Sequence, residues 1–351
     1  TVEKIADLLA LARVLKVEPG KLVGGVELPP NGGGPLDPPR GIVAVRRALI
    51  AVHPPDREPP TAAELRAKVE RAKRLRLDGR YEAVATVLPE LITAGRAATA
   101  QDVPGAWWCL AAGYQVASLT ALKVGERDLA WIAADRAVAA AQRSADELMV
   151  AVSERLLAFA LLGLGLLDEA CSVCSDGADT IAPTDATPLE GWSVWGSLQL
   201  TQAVGTARGG DGAEAWRLLR NAQTGAERVG PGRNDYWESF GPANTGVHGV
   251  AVALESGDPV EALRLADTVE IEELPHAERK AGFCIETARA HMARHDDAAT
   301  VALLLEAERH SPEGVRYQVL ARELVRVCLG RERRSRTPGL RGLAERLGVL
   351  G

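Results

Sequence analysis

The chain has 351 residues, of which 46% are hydrophobic and 25% are charged. This length accommodates about two to three domains, and the composition excludes a wholly disordered chain. A formal net charge of −6 excludes a protein that binds nucleic acid through a basic surface along its whole length, so any contact with DNA has to be local.

No apolar run in the sequence is long enough to cross a membrane. The richest run covers residues 156–167 and is followed by Asp168 and Glu169, which predicts a buried helix rather than a membrane span. The first residues lack the basic and apolar regions of a signal peptide, and five cysteines, an odd number, favour reduced thiols. We therefore expect a cytoplasmic protein with no membrane partner.

Residues 1–25 predict two short helices separated by a turn. Thr1 is a suitable N-cap for the first helix, which carries Ile5 on its apolar side and ends near Val17. The second helix begins with Pro19 in its first turn and ends at a pair of glycines.

This helix pair resembles the last two helices of a helix-turn-helix domain of the Cro/repressor (XRE) type. The matching residues are Thr1, Ile5, Ala6, Leu15, Val17, Pro19 and Leu22. In that family the helix that enters the major groove precedes this pair. The resemblance implies that residues 1–25 are the C-terminal part of a DNA-binding domain, and that DNA is contacted only through residues preceding Thr1. The alternative is an arbitrary amphipathic helix followed by a turn.

Residues 26–60 form a predicted linker. They hold nine of the twenty prolines and a run of three glycines, a composition that interrupts helices and strands. One short helix is predicted inside the linker, at residues 41–53. Its apolar side carries Ile42, Val45, Leu49 and Val52.

Residues 61–351 form the predicted body, which contains a repeated turn. In each copy a helix ends at a glycine that can adopt a left-handed cap, and a small residue early in the next helix allows the two helices to cross closely. The copies begin at Gly79, Gly125, Gly165, Gly210 and Gly257, with a degenerate copy at His295, and their closing residues are 38 to 47 positions apart. This pattern predicts antiparallel helix pairs and essentially no strand.

The repeated turn resembles that of the tetratricopeptide repeat. Matching residues in the preceding helices are Trp107, Leu110, Ala111 and Tyr114, then Trp192, Trp195 and Gly196, whereas Gln199 replaces the family's aromatic residue. The spacing exceeds the family's standard of about 34 residues, so each pair of helices is about one turn longer. A generic hairpin array such as HEAT-like repeats is the alternative. Either implies an all-α fold, a right-handed α-solenoid with a small helical N-terminal remnant.

The sequence holds no motif for a phosphate loop, a dinucleotide fold or a nucleophile elbow. Cys171 and Cys174 form a single CxxC pair, which lacks two ligands for zinc. His291 and His295 have a spacing that could contribute to a metal site, but their place near the end of a helix explains them more simply. We expect no enzyme activity, no metal and no cofactor.

Nine side chains are predicted on the inner face of the solenoid: Trp108, Gln115, Arg155, Ser197, Thr201, Trp237, Phe240, Asn244 and His248. The last four follow one another at helical spacing and mix aromatic with polar groups. Such a mixture suits a ligand lying in a groove. We predict Trp108, Gln115, Arg155, Trp237, Phe240, Asn244 and His248 as ligand-binding residues, with ordinary packing between neighbouring helices as the alternative.

Two basic clusters occur in the body, at residues 66–76 and 331–336. The first is interleaved with acidic residues and is predicted to be a solvated helix face. The second is predicted to be a solvated loop, with a weak contact to nucleic acid as the alternative.

Together, the helix-turn-helix remnant, the linker and the tetratricopeptide-like body resemble cytoplasmic bacterial transcriptional regulators. The resemblance implies a homodimer whose repeat domain senses a peptide or small molecule in its concave groove and thereby controls DNA binding. The alternative, from another functional class, is an adaptor that binds other proteins and never contacts DNA.

Overall fold

The structure, a computed structural model, describes residues 38–332 and 337–350. The described residues all belong to one compact unit of the chain, Asp37–Gly351. The predicted helix-turn-helix segment at residues 1–25 lies outside the described residues, as do the linker up to residue 37 and residues 333–336 of the second basic cluster.

The described residues form sixteen α-helices, two short 3-10 helices and no strand, which confirms the all-α prediction. The α-helices are α1 (Ile42–Ile50), α2 (Ala62–Leu77), α3 (Tyr81–Ala100), α4 (Ala106–Lys123), α5 (Arg127–Gln142), α6 (Glu147–Leu164), α7 (Leu167–Thr180), α8 (Leu189–Arg208), α9 (Gly212–Val229), α10 (Pro242–Glu255), α11 (Pro259–Ala266), α12 (Ala277–Ala293), α13 (Asp297–His310), α14 (Pro312–Tyr317), α15 (Val319–Gly330) and α16 (Leu340–Arg346). The 3-10 helices are Asp235–Trp237 and Ile271–Glu273.

Helices α2 to α13 pair into six hairpins, each made of an even-numbered helix and the odd-numbered helix that follows it. The backbone turns left-handed between the two helices, as predicted, since a positive φ is found at Gly79, Gly125, Gly165, Gly210, Gly257 and His295. In the last three hairpins, α8–α9, α10–α11 and α12–α13, an aspartate side chain then caps the second helix. The predicted turn residues therefore lie between the two helices of each pair, which is compatible with the predicted array of hairpins.

The first and last hairpins contact each other. Helix α12 packs against α2, and the short helix α14 packs against α3. Near this contact the Glu278 carboxylate of α12 accepts a hydrogen bond from the Tyr81 hydroxyl (3.3 Å) and pairs with the Lys123 ammonium group (3.4 Å). Because each even-numbered helix also contacts the next one, the six even-numbered helices form a closed cycle of contacts.

Helix α1 packs against α3 and α5 of the body. Its buried residues are Ile42, Val45, Ala48 and Leu49. The helix ends at Ile50, three residues before the predicted end, because the chain becomes extended as it approaches Pro54 and Pro55. The prediction was therefore wrong for Val52, which follows the helix and is 82% exposed.

Alanine and other small residues allow the helices of the body to approach one another closely. The largest cluster of buried residues, which runs from α1 to α6, contains many alanines and includes Leu110, Ala111 and Tyr114 of the tetratricopeptide-like pattern. No helix among the described residues combines the length and the apolar character needed to cross a membrane.

Candidate ligand-binding cavity

The even-numbered helices surround a cavity of about 190 Å³. Every one of these six helices contributes side chains to its wall, as does the segment that joins α9 to α10. The lining residues are Lys73, Arg76, Gln115, Val116, Leu119, Arg155, Leu156, Phe159, Leu162, Ser197, Leu200, Thr201, Val204, Arg208, Tyr236, Trp237, Glu238, Asn244, His248, Glu278 and Arg279.

The cavity brings together most of the residues predicted on the inner face. Those that line it are Gln115, Arg155, Ser197, Thr201, Trp237, Asn244 and His248. Trp108 lies directly behind this wall, since its ring centre is 5.7 Å from that of Trp237. Counting residues back from the repeated turns therefore identified side chains that are up to 133 positions apart in the sequence and that line one cavity.

Trp237 reaches the cavity from the loop that joins α9 to α10, at the end of its short 3-10 helix, and not from an α-helix. The prediction of one helical stripe through Trp237, Phe240 and Asn244 was wrong, because α10 begins only at Pro242. Tyr236, Trp237 and Ser239 all have a positive φ, between 49° and 62°, a conformation that is unfavourable for residues other than glycine. Such strain is retained where the surrounding structure enforces it, and it is common at functional sites.

Hydrogen bonds within the loop hold this conformation. The Asn234 side-chain oxygen accepts a hydrogen bond from the backbone N–H of Ser239 (2.9 Å), and the Arg233 guanidinium pairs with both Asp235 and Glu190 (2.8 Å each). The loop thereby carries Trp237 and Glu238 into the space between the even-numbered helices.

Phe240 does not line the cavity. Its ring is fully buried in a cluster with residues of α8 and α9, where it occupies the space that a side chain at Gly196 would need. The structure places Phe240 in the core because Gly196 has no Cβ. Ligand contact, as predicted for this residue, is therefore not available to it in this arrangement.

A chain of hydrogen bonds links three of the cavity helices. The Lys73 ammonium group of α2 donates to the Gln115 side-chain oxygen of α4 (3.1 Å), and the Gln115 amide nitrogen donates to the Ser153 hydroxyl of α6 (2.9 Å). Burial lowers the pKa of Lys73 to about 7, and the nearby positive charge of Arg76 adds to this effect. Lys73 therefore changes its charge near neutral pH.

The aromatic part of the wall is held from behind by Asp146, the residue that caps α6. Its carboxylate accepts hydrogen bonds from the Trp108 indole N–H (3.1 Å) and from the Tyr236 hydroxyl (2.9 Å). Trp237 lies against the Trp108 ring, and the Lys73 ammonium group is 3.7 Å from the Trp237 ring centre. Its indole ring thus has a fixed position.

Arg155 and Glu238 form an ion pair in the cavity wall. The Arg155 guanidinium donates a hydrogen bond to the Glu238 carboxylate (2.9 Å) and a longer one to the Thr201 hydroxyl (3.5 Å). The Glu238 side chain is only 4% exposed, so its charge has to be compensated by a partner of this kind. The pair connects the strained loop to α6 and α8.

Asn244 and His248 supply uncharged polar groups from successive turns of α10. The side-chain oxygen of Asn244 is buried and has no hydrogen-bond partner among the described residues. Burial, with a contribution from Arg279, lowers the pKa of His248 to about 3, so its ring is neutral at physiological pH. Its Nδ1–H donates to the Asn244 backbone oxygen (2.9 Å), which leaves Nε2 as a hydrogen-bond acceptor.

Positive charge dominates the rest of the wall. The lining holds one lysine and four arginines against the two carboxylates Glu238 and Glu278. Burial raises the pKa of Glu278, but Lys123, Arg76 and Arg279 lower it more strongly, to about 2. Burial also lowers the pKa of Arg279, whose charge is repelled by Arg76 and Arg155.

The charged lining residues Lys73, Arg76, Glu238, Glu278 and Arg279 were not predicted as site residues. Lys73 and Arg76 belong to the basic cluster at residues 66–76, and the prediction that this cluster is a solvated face was wrong for Lys73, which is 4% exposed. The positions of Lys73 and Arg76 on α2 could have indicated that both side chains face inward. Lys73 and Arg76 continue the buried face of Leu65, Val69 and Ala72 at helical spacing.

The cysteine and histidine pairs of the sequence lie away from the cavity. Cys174 is buried, whereas Cys171 is partly exposed near Thr206. His291 pairs with Asp296 (3.4 Å), and His295 lies 3.2 Å from the Arg331 guanidinium. Within the described part of the chain, no group of three or more His, Cys, Asp or Glu residues has the arrangement of a metal site.

Comparisons with known proteins add no assignment to this geometry. No protein-family model matches the chain, and no curated protein matches it. What the cavity binds has to be inferred from its own side chains.

Proposed function

We propose that the body of this chain is the sensing domain of a cytoplasmic bacterial transcriptional regulator. In this proposal it is a tetratricopeptide-like solenoid that binds a small molecule and controls the DNA binding of an N-terminal helix-turn-helix domain. One observation carries the proposal: side chains from all six even-numbered helices converge on one cavity that combines aromatic, amide and charged groups. That combination is typical of ligand sites.

The dimensions of the cavity favour a small molecule over a peptide. A cavity of about 150 Å³ is enough to hold benzene, and this one measures about 190 Å³. In addition, the contact between the first and last hairpins closes the groove that an extended peptide would follow. Of the two kinds of signal expected from the sequence, we therefore propose the small molecule.

A signal in the cavity has a direct physical route to the beginning of the body. Helix α1 follows the linker in sequence and packs on α3 and α5. It is also tied to the hairpins by the ion pair of Arg46 with Glu126 (2.5 Å) and by the hydrogen bond of Arg136 to the Leu49 backbone oxygen. A ligand that changes the angles between hairpins would therefore shift α1, and with it the linker to residues 1–25.

The proposal is tested by selecting DNA from a random pool with the complete gene product, including any residues encoded upstream of Thr1. We expect one enriched sequence, whose affinity changes when a low-molecular-weight fraction of the host's metabolites is added. The variant Ser197→Leu, which adds volume inside the cavity wall, is expected to bind the same DNA without responding to that fraction. Circular dichroism checks that the variant folds.

A protein that begins at Thr1 and ends at Gly351 is expected to bind DNA only at background level in the same assay. If the complete gene product enriches no sequence, the regulator proposal is wrong and the adaptor alternative gains support. If the wild type and Ser197→Leu respond equally to the metabolite fraction, the sensing site is not this cavity.

A further inference from the structure

Two guanidinium groups in the cavity wall have no carboxylate within ion-pair distance among the described residues. Among the cavity's other charged groups, Arg155 pairs with Glu238, Arg208 pairs with Glu255 (3.2 Å), and Glu278 pairs with Lys123. Ion pairs account for these groups, whereas Lys73 donates a hydrogen bond to Gln115 and lies over the Trp237 ring. By contrast, neither Arg76 nor Arg279 has a carboxylate within 4.0 Å among the described residues.

From this arrangement we infer that the cavity binds a small organic acid, whose carboxylate lies between Arg76 and Arg279 and whose apolar part lies against Trp237. The inference rests on the proposed function, since it names the chemical class of the signal. It goes further by assigning the two arginines as the residues that recognise the charge.

Electrostatics favours an anionic ligand over a neutral one. A cation removed from water is unfavourable unless an anion compensates it. Burial lowers the pKa of Arg279; the Glu278 carboxylate opposes this effect, and the positive charges of Arg76 and Arg155 add to it. A carboxylate from solution would supply a counter-charge in direct contact, and guanidinium groups are well suited to binding it because they donate two parallel hydrogen bonds.

The other lining residues determine which apolar part the ligand can have. Leu156, Leu200 and Val116 offer apolar surface in the same cavity as the Trp237 ring, which suits one aromatic ring or a short aliphatic chain in a volume of about 190 Å³. A second, independent observation indicates a ligand at this place: the buried side-chain oxygen of Asn244 has no partner within the described part of the chain. A donor on the ligand would satisfy it.

Calorimetric titration with matched pairs of compounds tests the inference. The pairs are benzoate with benzamide and hexanoate with hexanamide, since each amide keeps the shape of its acid without the charge. We expect at least one of the two acids to bind the full chain about tenfold or more tightly than its amide, as charge-assisted hydrogen bonds are stronger than neutral ones. Salt should weaken the binding of the acid more than that of the amide.

Variants of Arg76 and Arg279 test whether these two side chains bind the carboxylate. Arg76→Gln and Arg279→Gln are each expected to weaken binding of the acid by about tenfold or more and to leave binding of the amide nearly unchanged. Arg279→Lys keeps the charge and should retain part of the affinity. Arg220→Gln, on the exposed side of α9, is the matched control and should have no effect. A melting curve for each variant confirms that it folds.

The outcomes distinguish a failure of the organic-acid inference from a failure of the proposed function. Preference for both amides, or equal binding of acid and amide, would overturn the organic-acid inference and leave the small-molecule cavity standing. If no member of either pair binds, the inference is overturned and the proposed function loses its support as well. Acid binding that survives both glutamine variants would overturn the assignment of Arg76 and Arg279.

Discussion

The Lys73 ammonium group lies 3.7 Å from the centre of the Trp237 ring. One residue belongs to the first even-numbered helix, and the other belongs to a loop that follows the fourth hairpin, so this contact spans the cavity. The ring shields the ammonium group from water while its negative face attracts the charge. The burial lowers the pKa of Lys73 to about 7, which has consequences that solution experiments can measure.

Replacing Lys73 by methionine should change how stability depends on pH. The ordinary pKa of lysine is 10.5 and that of Lys73 in the folded chain is about 7, so the unfolded chain binds more protons between these two values. The free energy of unfolding of the wild type should therefore rise with pH in this window, by at most about 1.4 kcal/mol per pH unit from this group. Lys73→Met should lack this rise.

Urea unfolding of both proteins at several pH values between about 6 and 10 measures the difference. The matched control is Lys68→Met, on the same helix, where the Lys68 side chain is 38% exposed and pairs with Glu90. The control should keep the pH dependence of the wild type. Parallel pH profiles for the wild type and Lys73→Met would contradict the burial of a charged amine at this position.

Glu278 should stabilise the contact between the first and last hairpins in a pH-dependent way. Its pKa is lowered from 4.5 to about 2, so its contribution is fully present above about pH 4.5 and is lost as the pH falls toward 2. At neutral pH, Glu278→Gln should lower the free energy of unfolding by about 2 kcal/mol, and the difference should shrink in acid.

Chemical unfolding at neutral pH and near pH 3 gives this comparison. Glu272→Gln serves as the control, because Glu272 also pairs with a lysine but its side chain is 83% exposed. The control should change stability far less. Equal stability of Glu278→Gln and the wild type at neutral pH would show that the Glu278 carboxylate does not hold the last hairpin to Tyr81 of the first hairpin and Lys123 of the second.

A methyl group at Gly196 should be poorly tolerated. An added Cβ would overlap the Phe240 ring, and overpacking of this kind costs about 1–3 kcal/mol. The control is Gly282→Ala, also in the interior of a helix, where an added Cβ meets nothing within 4 Å. Because alanine favours helix over glycine, the control should be neutral or more stable by up to about 1 kcal/mol. Thermal unfolding that ranks the two variants the other way would place Phe240 elsewhere.

The sequence predicted the hairpins of this fold because their turns are local. Five of the six turns have a glycine with a positive φ, which is visible in the sequence at Gly79 and its counterparts, and His295 takes this position in the sixth turn. The closed cycle of helices was not predicted. It depends on small rotations accumulated over six hairpins, and no single stretch of sequence encodes the contact between α2 and α12.

The sequence predicted part of the candidate site, because some of its residues can be located by counting from the local turns. Gln115, Arg155 and Asn244 lie at fixed distances from their turns, so counting along a helix finds them. Trp237 was expected within a helix, whereas its left-handed backbone depends on hydrogen bonds to Asn234 and neighbouring residues of the loop. Arg279 reaches the cavity only because the last hairpin returns to the first, a contact between elements some 200 positions apart.

Asn244→Ala should weaken ligand binding with little effect on folding. The Asn244 side-chain oxygen has no partner in the part of the chain that the structure describes, so its removal breaks no internal hydrogen bond. Loss of the hydrogen bond that a ligand hydroxyl donates to this oxygen should cost about 1–3 kcal/mol of affinity for 4-hydroxybenzoate, whereas the affinity for benzoate, which has no donor, should stay nearly unchanged. Calorimetric titration and a melting curve on one preparation measure both effects. Unchanged affinity with a lowered melting temperature would show that Asn244 is a packing residue.

The central claim is that a small molecule binds inside the cycle of even-numbered helices, and crystals of the chain soaked in 4-iodobenzoate test it most directly. Anomalous scattering locates the iodine independently of any interpretation of the ligand density. We predict an iodine peak inside the cavity, next to Trp237, with the carboxylate between Arg76 and Arg279. Parallel crystals soaked in 4-iodobenzamide test whether the cavity also binds an uncharged molecule of the same shape. This soak distinguishes binding in the cavity from a preference for the charged acid. Iodine peaks that lie only outside the cavity in both soaks would contradict the claim.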